Sequence, residues 1–81
     1  MAALQWFQRV KIARLRRPTR EVQSDFAAAP QPKVGEIGTV TDFRNKSDPN
    51  APVVVDKTAA GGQLFWRADF HPDELEPLDD E

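Results

Sequence analysis

The sequence contains no cysteine, no tyrosine and only one histidine among its 81 residues. Without cysteine the chain can form no disulfide, no thiolate zinc site and no iron–sulfur cluster, and it is compatible with a reducing compartment. It also lacks any apolar run near the roughly 18 residues that a membrane span requires. Its short apolar start is followed, not preceded, by basic residues, an order that is wrong for a secretory signal. We therefore expect a cytoplasmic protein without a metal or a cofactor.

The few residues that could carry chemistry stand in patterns that do not support it. His71 is the only histidine, and no serine, cysteine or aspartate lies in a recognisable nucleophile pattern with it. Gly35 and Gly38 lack the lysine and hydroxyl residue of a phosphate loop and the third glycine of a dinucleotide fingerprint. The acidic end, residues 79–81, lacks the ligand spacing of a calcium loop. We expect no enzymatic activity.

The length and the composition predict one small folded domain. The hydrophobic fraction is 40% and the charged fraction 30%, which is ordinary for a folded chain. A chain of this size buries only roughly 60–65% of its unfolded surface, so it can build a single modest core. We expect one domain over residues 1–78, followed by an acidic tail at residues 79–81.

The net charge of −2 hides a strong asymmetry. Residues 1–46 carry a net charge of +5, and residues 47–81 carry −7. Two interpretations stay open: the two ends of the chain attract each other, or the basic cluster forms a patch that binds an anionic partner. The basic cluster consists of Arg9, Lys11, Arg14, Arg16, Arg17 and Arg20.

The first half of the domain predicts a strand and a long loop. Residues 7–15 alternate apolar and basic side chains, as on a strand, and make no apolar stripe on a helix. Pro18 should end this strand, because proline has no amide proton to donate. Residues 18–33 form a long loop rich in proline and alanine. We expect a helical turn near Val22–Ala28 and Phe26 as the residue that anchors this loop in the core.

The second half predicts four more strands. Glycines at positions 35 and 38 favour a tight turn that leads into a strand ending near residue 43. Residues 45–52 have loop composition, and residues 52–58 form the next strand. Gly61 and Gly62 supply the positive φ values of a hairpin to a strand at residues 63–70. His71-Pro72 predicts one 3₁₀ or α turn, and residues 76–78 a short edge strand.

These elements together resemble small SH3-like β-barrels. The resemblance rests on residues 9–12, 34–40, 52–55 and 73–78 and covers roughly half of the chain. The pattern is similar to the small SH3-like barrel protein of photosystem I, to the variable chain of ferredoxin–thioredoxin reductase and to small uncharacterised bacterial barrels. The resemblance implies a five-stranded barrel with a long first loop and a one-turn helix before the last strand, and an accessory or docking role. Because the chain has no tyrosine, it departs from SH3 domains that bind proline-rich peptides.

Three aromatic residues lie outside the pattern of the core. Phe65 and Trp66 are neighbours on a strand and so face opposite sides of the sheet. Trp66 shares its face with Leu64, Ala68 and Phe70, so Phe65 is the better candidate for exposure. Trp6 and Phe7 belong to an N-terminal extension, residues 1–8, which either covers an open end of the barrel or packs on a second copy of the chain.

The leading hypothesis is a non-catalytic protein-interaction or accessory-subunit module that binds a protein partner or itself as a homodimer. The alternative is RNA or DNA binding through the basic segment 9–20, with an affinity that falls as salt rises. A second alternative is a small-molecule site at an oligomer interface. The candidate interaction residues are Trp6, Phe7, Arg14, Arg16, Arg17, Arg20, Phe65 and Arg67.

Overall fold

The fold consists of short strands whose bounds follow the apolar alternation of the sequence: the first four form a meander, and the fifth returns to pair with the first. The computed structural model describes residues 4–17, 19–28, 30–48 and 50–78. The strands are β1 (Arg9–Ile12), β2 (Ile37–Phe43), β3 (Val53–Thr58), β4 (Leu64–Phe70) and β5 (Leu75–Pro77). One 3₁₀ turn, Pro72–Glu74, precedes β5. The predicted strand end at Pro18 and the predicted tail at residues 79–81 lie outside the described residues.

All five strands join one antiparallel sheet in the order β4-β3-β2-β1-β5. The predicted mainly β fold, with five strands and a one-turn helix before the last, is confirmed; closure of the sheet into a barrel stays a prediction. Among the described residues, no helix has the length and apolar character that crossing a membrane would require.

Most of the core is built from alternate strand residues, and on β3 the intervening Val54 is buried as well. Trp66, Ala68 and Phe70 are buried on β4, as the alternation predicted, and the rings of Trp66 and Phe70 lie 5.5 Å apart. The indole N–H of Trp66 donates to Glu36 Oε1 at 3.3 Å, so the largest core side chain keeps a polar partner. The remaining residues of the core cluster are Val10, Ile12, Val40, Val53, Val55 and Leu75.

Strand β1 is shorter than the predicted 7–15 segment. At its start, Phe7 adopts a φ of 63°, which interrupts the extended backbone. Beyond Ile12, the amides of Ala13 and Arg14 both donate to the carbonyl of Glu74, at 2.8 and 3.3 Å. The chain therefore leaves the β1–β2 ladder and turns toward the 3₁₀ turn.

The predictions for the long loop were wrong in two respects. Residues 22–28 form no helical turn, because Gln23 exchanges backbone hydrogen bonds with Arg67 and the Asp25 amide donates to the Leu64 carbonyl. The segment thus runs along the edge of β4. Phe26 does not anchor the core: it is 37% exposed, and its ring packs edge-on against Phe65. Val22 packs against the core in its place.

Only two of the four glycines occupy a positive-φ turn. Gly35 has a φ of 96° and Gly62 a φ of 87°, so the turns before β2 and between β3 and β4 are confirmed. Gly61, predicted to share this role, has no positive φ. Gly38 lies inside β2 instead of in a turn, and the close approach of β3 explains it. A Cβ atom there would lie 2.6 Å from Val55 Cγ1 and 2.8 Å from the Asp56 carbonyl oxygen.

Gly38→Ala should therefore destabilise the domain by about 1–3 kcal/mol, because the rigid neighbouring backbone must move to make room. Gly61→Ala is the matched control, since its Cβ would meet only Gln63 Oε1 at an ordinary 3.6 Å. Urea denaturation of both variants measures the difference. Equal free energies of unfolding for the two variants would contradict the packing argument.

Candidate functional site

An open groove of about 800 Å³ brings together basic residues that are far apart in the sequence. Segment 16–23, β4 and the 3₁₀ turn supply most of its lining. We call it the arginine groove, after the five arginines that line it: Arg16, Arg17, Arg20, Arg44 and Arg67. Four of these five are residues that the sequence analysis selected. The fifth, Arg44, directly follows β2 and was not among the candidate residues.

Carboxylates pair with four of the five arginines of the groove through two-point contacts, and Arg16 and Arg44 are the most exposed of these. The Nε and Nη2 atoms of Arg16 donate to Asp73 at 3.1 and 2.6 Å. The same two atoms of Arg44 donate to Asp69 at 2.9 and 2.8 Å. This planar fork holds the arginine side chains in one geometry. The hydrogen bonds from Arg16 in turn hold the pKa of the Asp73 carboxyl below its usual value.

Arg67 follows the same pattern on the outer face of the sheet. Its Nε and Nη2 atoms donate to the two carboxylate oxygens of Asp56 at 2.7 Å each. Asp56 also accepts a hydrogen bond from the hydroxyl of Thr41 at 3.1 Å, which links β2, β3 and β4 on this face.

A fully buried carboxylate, Glu74, lies at the inner end of the groove. Its Oε2 accepts from Arg20 Nη2 at 2.7 Å and from the Arg16 amide at 2.8 Å. Its Oε1 accepts from the His71 amide at 2.8 Å and from Arg20 Nη1 at 3.3 Å. Four donors therefore surround the two oxygens, as a buried charge requires.

Hydrogen bonding outweighs burial in setting the ionisation of Glu74. Burial alone would raise the pKa of its carboxyl, but the hydrogen bonds from Arg20 and from the amides of Arg16 and His71 lower the pKa to about 2. Glu74 is thus charged in the folded protein at neutral pH.

Arg20 is the cation that completes this arrangement. Its side chain is only 12% exposed, its Nη1 atom donates to the Asp69 carbonyl at 2.7 Å, and its guanidinium lies 4.5 Å from the centre of the Phe70 ring. The Arg20 backbone exchanges two hydrogen bonds with the side chain of Gln31, both at 2.9 Å. Arg20 therefore fastens the start of the long loop to β4 and the 3₁₀ turn, and its backbone ties Gln31, near the end of the loop, to that start.

The two charged halves of the chain meet in these contacts. Of the predicted basic cluster, Lys11 pairs with Glu76 at 3.7 Å, and Arg16 and Arg20 pair with residues of the 3₁₀ turn. The side chains of Arg14 and Arg17 make no ion pair within the part of the chain that the structure describes. Arg14 is not among the residues that line the groove.

The aromatic candidates lie in two separate places. Phe65, expected to be exposed, is half-buried instead: it packs against the core, and its ring centre lies 5.8 Å from that of Phe26. Trp6 is 46% exposed and meets Phe43 edge-on at 5.2 Å, with the Lys46 ammonium 5.3 Å from its ring centre. Phe7, 6.2 Å from Trp6, is 72% exposed. We call Trp6, Phe7 and Phe43 the aromatic surface.

The sequence did not predict that Glu74 is buried: it stood only as one acid of the acidic half of the chain. A local signal was present in His71-Pro72-Asp73-Glu74. Proline favours the first position of a turn, and a glutamate three residues after the residue before the turn can accept the amide of that residue. Its main partner, Arg20, is 54 residues away in the sequence, and no local pattern points to it.

None of the known protein families, curated proteins or solved structures compared with this chain matches it. The resemblance to small SH3-like barrels therefore stays a prediction. The described residues bring no three histidine, cysteine, aspartate or glutamate side chains into an arrangement that could hold a metal ion.

Replacing Glu74 by glutamine should cost about 3–5 kcal/mol of stability, because Arg20 is left as an unpaired charge in a buried site. Asp73→Asn is the matched control: it removes the exposed partner of Arg16 one position earlier and should cost much less. Chemical denaturation of both variants measures this. Similar losses for the two would show that Glu74 is not the main attachment of the loop.

Stability should also fall on acidification in a way that depends on Glu74. Its folded-state pKa of about 2 lies below the ordinary 4.5, so the unfolded chain takes up the proton first. Its contribution is complete above roughly pH 5 and is lost as the pH falls toward 2. Urea denaturation at several pH values should show the gap between the parent protein and Glu74→Gln narrowing over this range. NMR titration of the Glu74 carboxyl carbon checks the pKa directly, and a midpoint near 4.5 would contradict this account.

Proposed function

We propose that this protein is a non-catalytic protein-interaction module that contacts its partner through the aromatic surface. The observation that carries the proposal is the position of Phe7. Its ring is the most exposed of the large hydrophobic side chains among the described residues, and its φ of 63° is uncommon for a residue with a bulky side chain.

The backbone around Phe7 is held in place by hydrogen bonds to β2 and within the extension. The Phe7 amide donates to the Val40 carbonyl at 2.7 Å, and the Val40 amide donates to the Gln8 carbonyl at 2.9 Å. Gln5 and Gln8 form a small turn, with bonds of 3.2 Å between their backbones and 3.0 Å to the Gln8 side chain. The domain thus fixes an aromatic ring in water.

The backbone conformation of Phe7 costs free energy, and its exposed ring adds little to the stability of the isolated domain. A left-handed backbone costs a residue with a Cβ roughly 1–2 kcal/mol. Transfer of a phenylalanine ring from water into an apolar contact is worth roughly 1.5–3 kcal/mol. A partner that covers Phe7 would gain the free energy of transferring this ring out of water. A strained and exposed aromatic residue therefore supports an interaction role.

The nucleic-acid alternative has less support. It requires the basic cluster to face an external phosphate backbone, whereas Lys11, Arg16 and Arg20 already pair with carboxylates of the same chain. A phosphate would have to displace these partners, Arg20 being almost buried. Arg14 and Arg17 alone would supply a weak, unspecific attraction.

Phe7→Gly separates an interaction role from a structural one. We expect its free energy of unfolding to change by less than about 1 kcal/mol, because the relief of backbone strain and the greater freedom of glycine in the unfolded chain act in opposite directions. Protein partners captured by the immobilised parent chain from an extract of its native cells should be lost with the variant. Phe26→Gly, which removes an exposed ring outside the aromatic surface, should retain them.

Two results would contradict this proposal. A loss of several kcal/mol in Phe7→Gly would assign the ring a structural role. Capture of the same partners by the parent chain and by Phe7→Gly would show that the aromatic surface is not the contact.

A further inference from the structure

A small apolar pocket opens beside the aromatic surface. Its volume is about 130 Å³. Leu4, Phe43, Val53 and Pro72 supply apolar walls, while Lys46 and Asp48 also line it. It therefore lies where the N-terminal extension, the segment 43–53 from the end of β2 to the start of β3, and the 3₁₀ turn come together.

The pocket and the exposed ring of Phe7 belong to one continuous surface. Trp6 connects them, since its ring lies 5.2 Å from Phe43, a wall of the pocket, and 6.2 Å from Phe7. Phe7 itself does not line the pocket and remains 72% exposed. One chain thus displays a projecting aromatic ring and, next to it, an apolar recess that this ring does not fill.

The size and charge of the recess fit such a ring. An apolar cavity of about 150 Å³ in another protein accepts benzene, so a recess of this order accommodates the ring of a phenylalanine. Lys46 and Asp48 carry opposite charges, so the recess has no net charge, and a second recess can approach without repulsion between like charges.

Resting on the proposed interaction role, we infer that the partner is a second copy of this chain, and that Phe7 of each copy inserts into the pocket of the other. The arrangement is a two-fold dimer in which the same surface contacts itself. Two-fold symmetry places both Phe7 rings in the recesses of the opposite copies. Because each ring and each recess is then occupied, a third copy has no free contact of this kind to bind.

The experiment uses the full chain in light scattering and sedimentation equilibrium over a wide concentration range. The parent chain should move from 9.1 kDa toward twice that mass as its concentration rises. Phe7→Ala removes the ring and leaves the recess intact. Ala51→Leu partly fills the recess, which Ala51 also lines, and leaves the ring intact. Each variant alone should stay a monomer, and circular dichroism confirms that both are folded.

Mixing the two variants is the decisive step. The Ala51→Leu variant keeps its Phe7 ring, and this ring can enter the open recess of the Phe7→Ala variant. The mixture should therefore form a heterodimer that has one of the two contacts and a lower affinity than the parent dimer. Phe26→Ala, which changes an exposed ring elsewhere, should dimerise like the parent chain.

Three outcomes would overturn the inference: a parent chain that stays monomeric, dimers that persist in either single variant, or variants that do not associate when mixed. The first outcome still leaves the proposed function standing if Phe7→Gly loses captured proteins. The proposed function itself fails if capture by Phe7→Gly is unaffected, or if Phe7→Gly loses several kcal/mol of stability.

Discussion

The ion pair between Glu74 and Arg20 is the contact on which the arrangement of the rest of the chain depends. It joins the long loop to the 3₁₀ turn, and the same carboxylate accepts the amides of Arg16 and His71. The carbonyl of Glu74 accepts hydrogen bonds from the two amides that directly follow β1. One residue therefore organises the exit of the first strand, the start of the loop and the entry to the last strand. Removing a buried charge from such a position is costly because the opposite charge remains without a partner.

This contact also decides how the charge asymmetry of the sequence is used. A chain with a basic first half and an acidic second half could hold its cations ready for an external anion. Here the antiparallel pairing of β1 with β5 and the docking of the loop bring the two halves together. Four arginines with two-point carboxylate contacts then give the groove an ordered lining, while Arg17 makes no ion pair with the described residues. The aromatic surface differs from the groove: the Lys46 ammonium lies over the Trp6 ring, but Phe7 stays 72% exposed.

The parts of the fold that follow from local sequence could be predicted, and those that depend on distant partners could not. Alternation placed Trp66 in the core, and glycine with a β-branched run placed β2; the exposure expected for Phe65 is only partial, because Phe65 packs against the core. Phe26 was misjudged because backbone bonds between segment 22–28 and β4 decide its position, and an apolar residue in a loop carries no sign of them. Trp6 and Phe7 could be singled out as aromatic residues before the first strand. The recess beside them is formed by three separate parts of the chain and has no sequence signature.

The loop that runs beside β4 has a consequence for how copies of this chain can meet. Residues 23–25 occupy backbone groups of Leu64 and Arg67 that would otherwise lie open along one margin of the sheet. At the other margin, β5 has only three residues and ends in proline. A sheet with unprotected edge strands can pair with the edge strands of other copies and so form open-ended aggregates. With one margin occupied and the other blunted, contact through side chains is favoured over growth through the backbone, which lets the domain carry an exposed aromatic ring with less danger of forming fibrils.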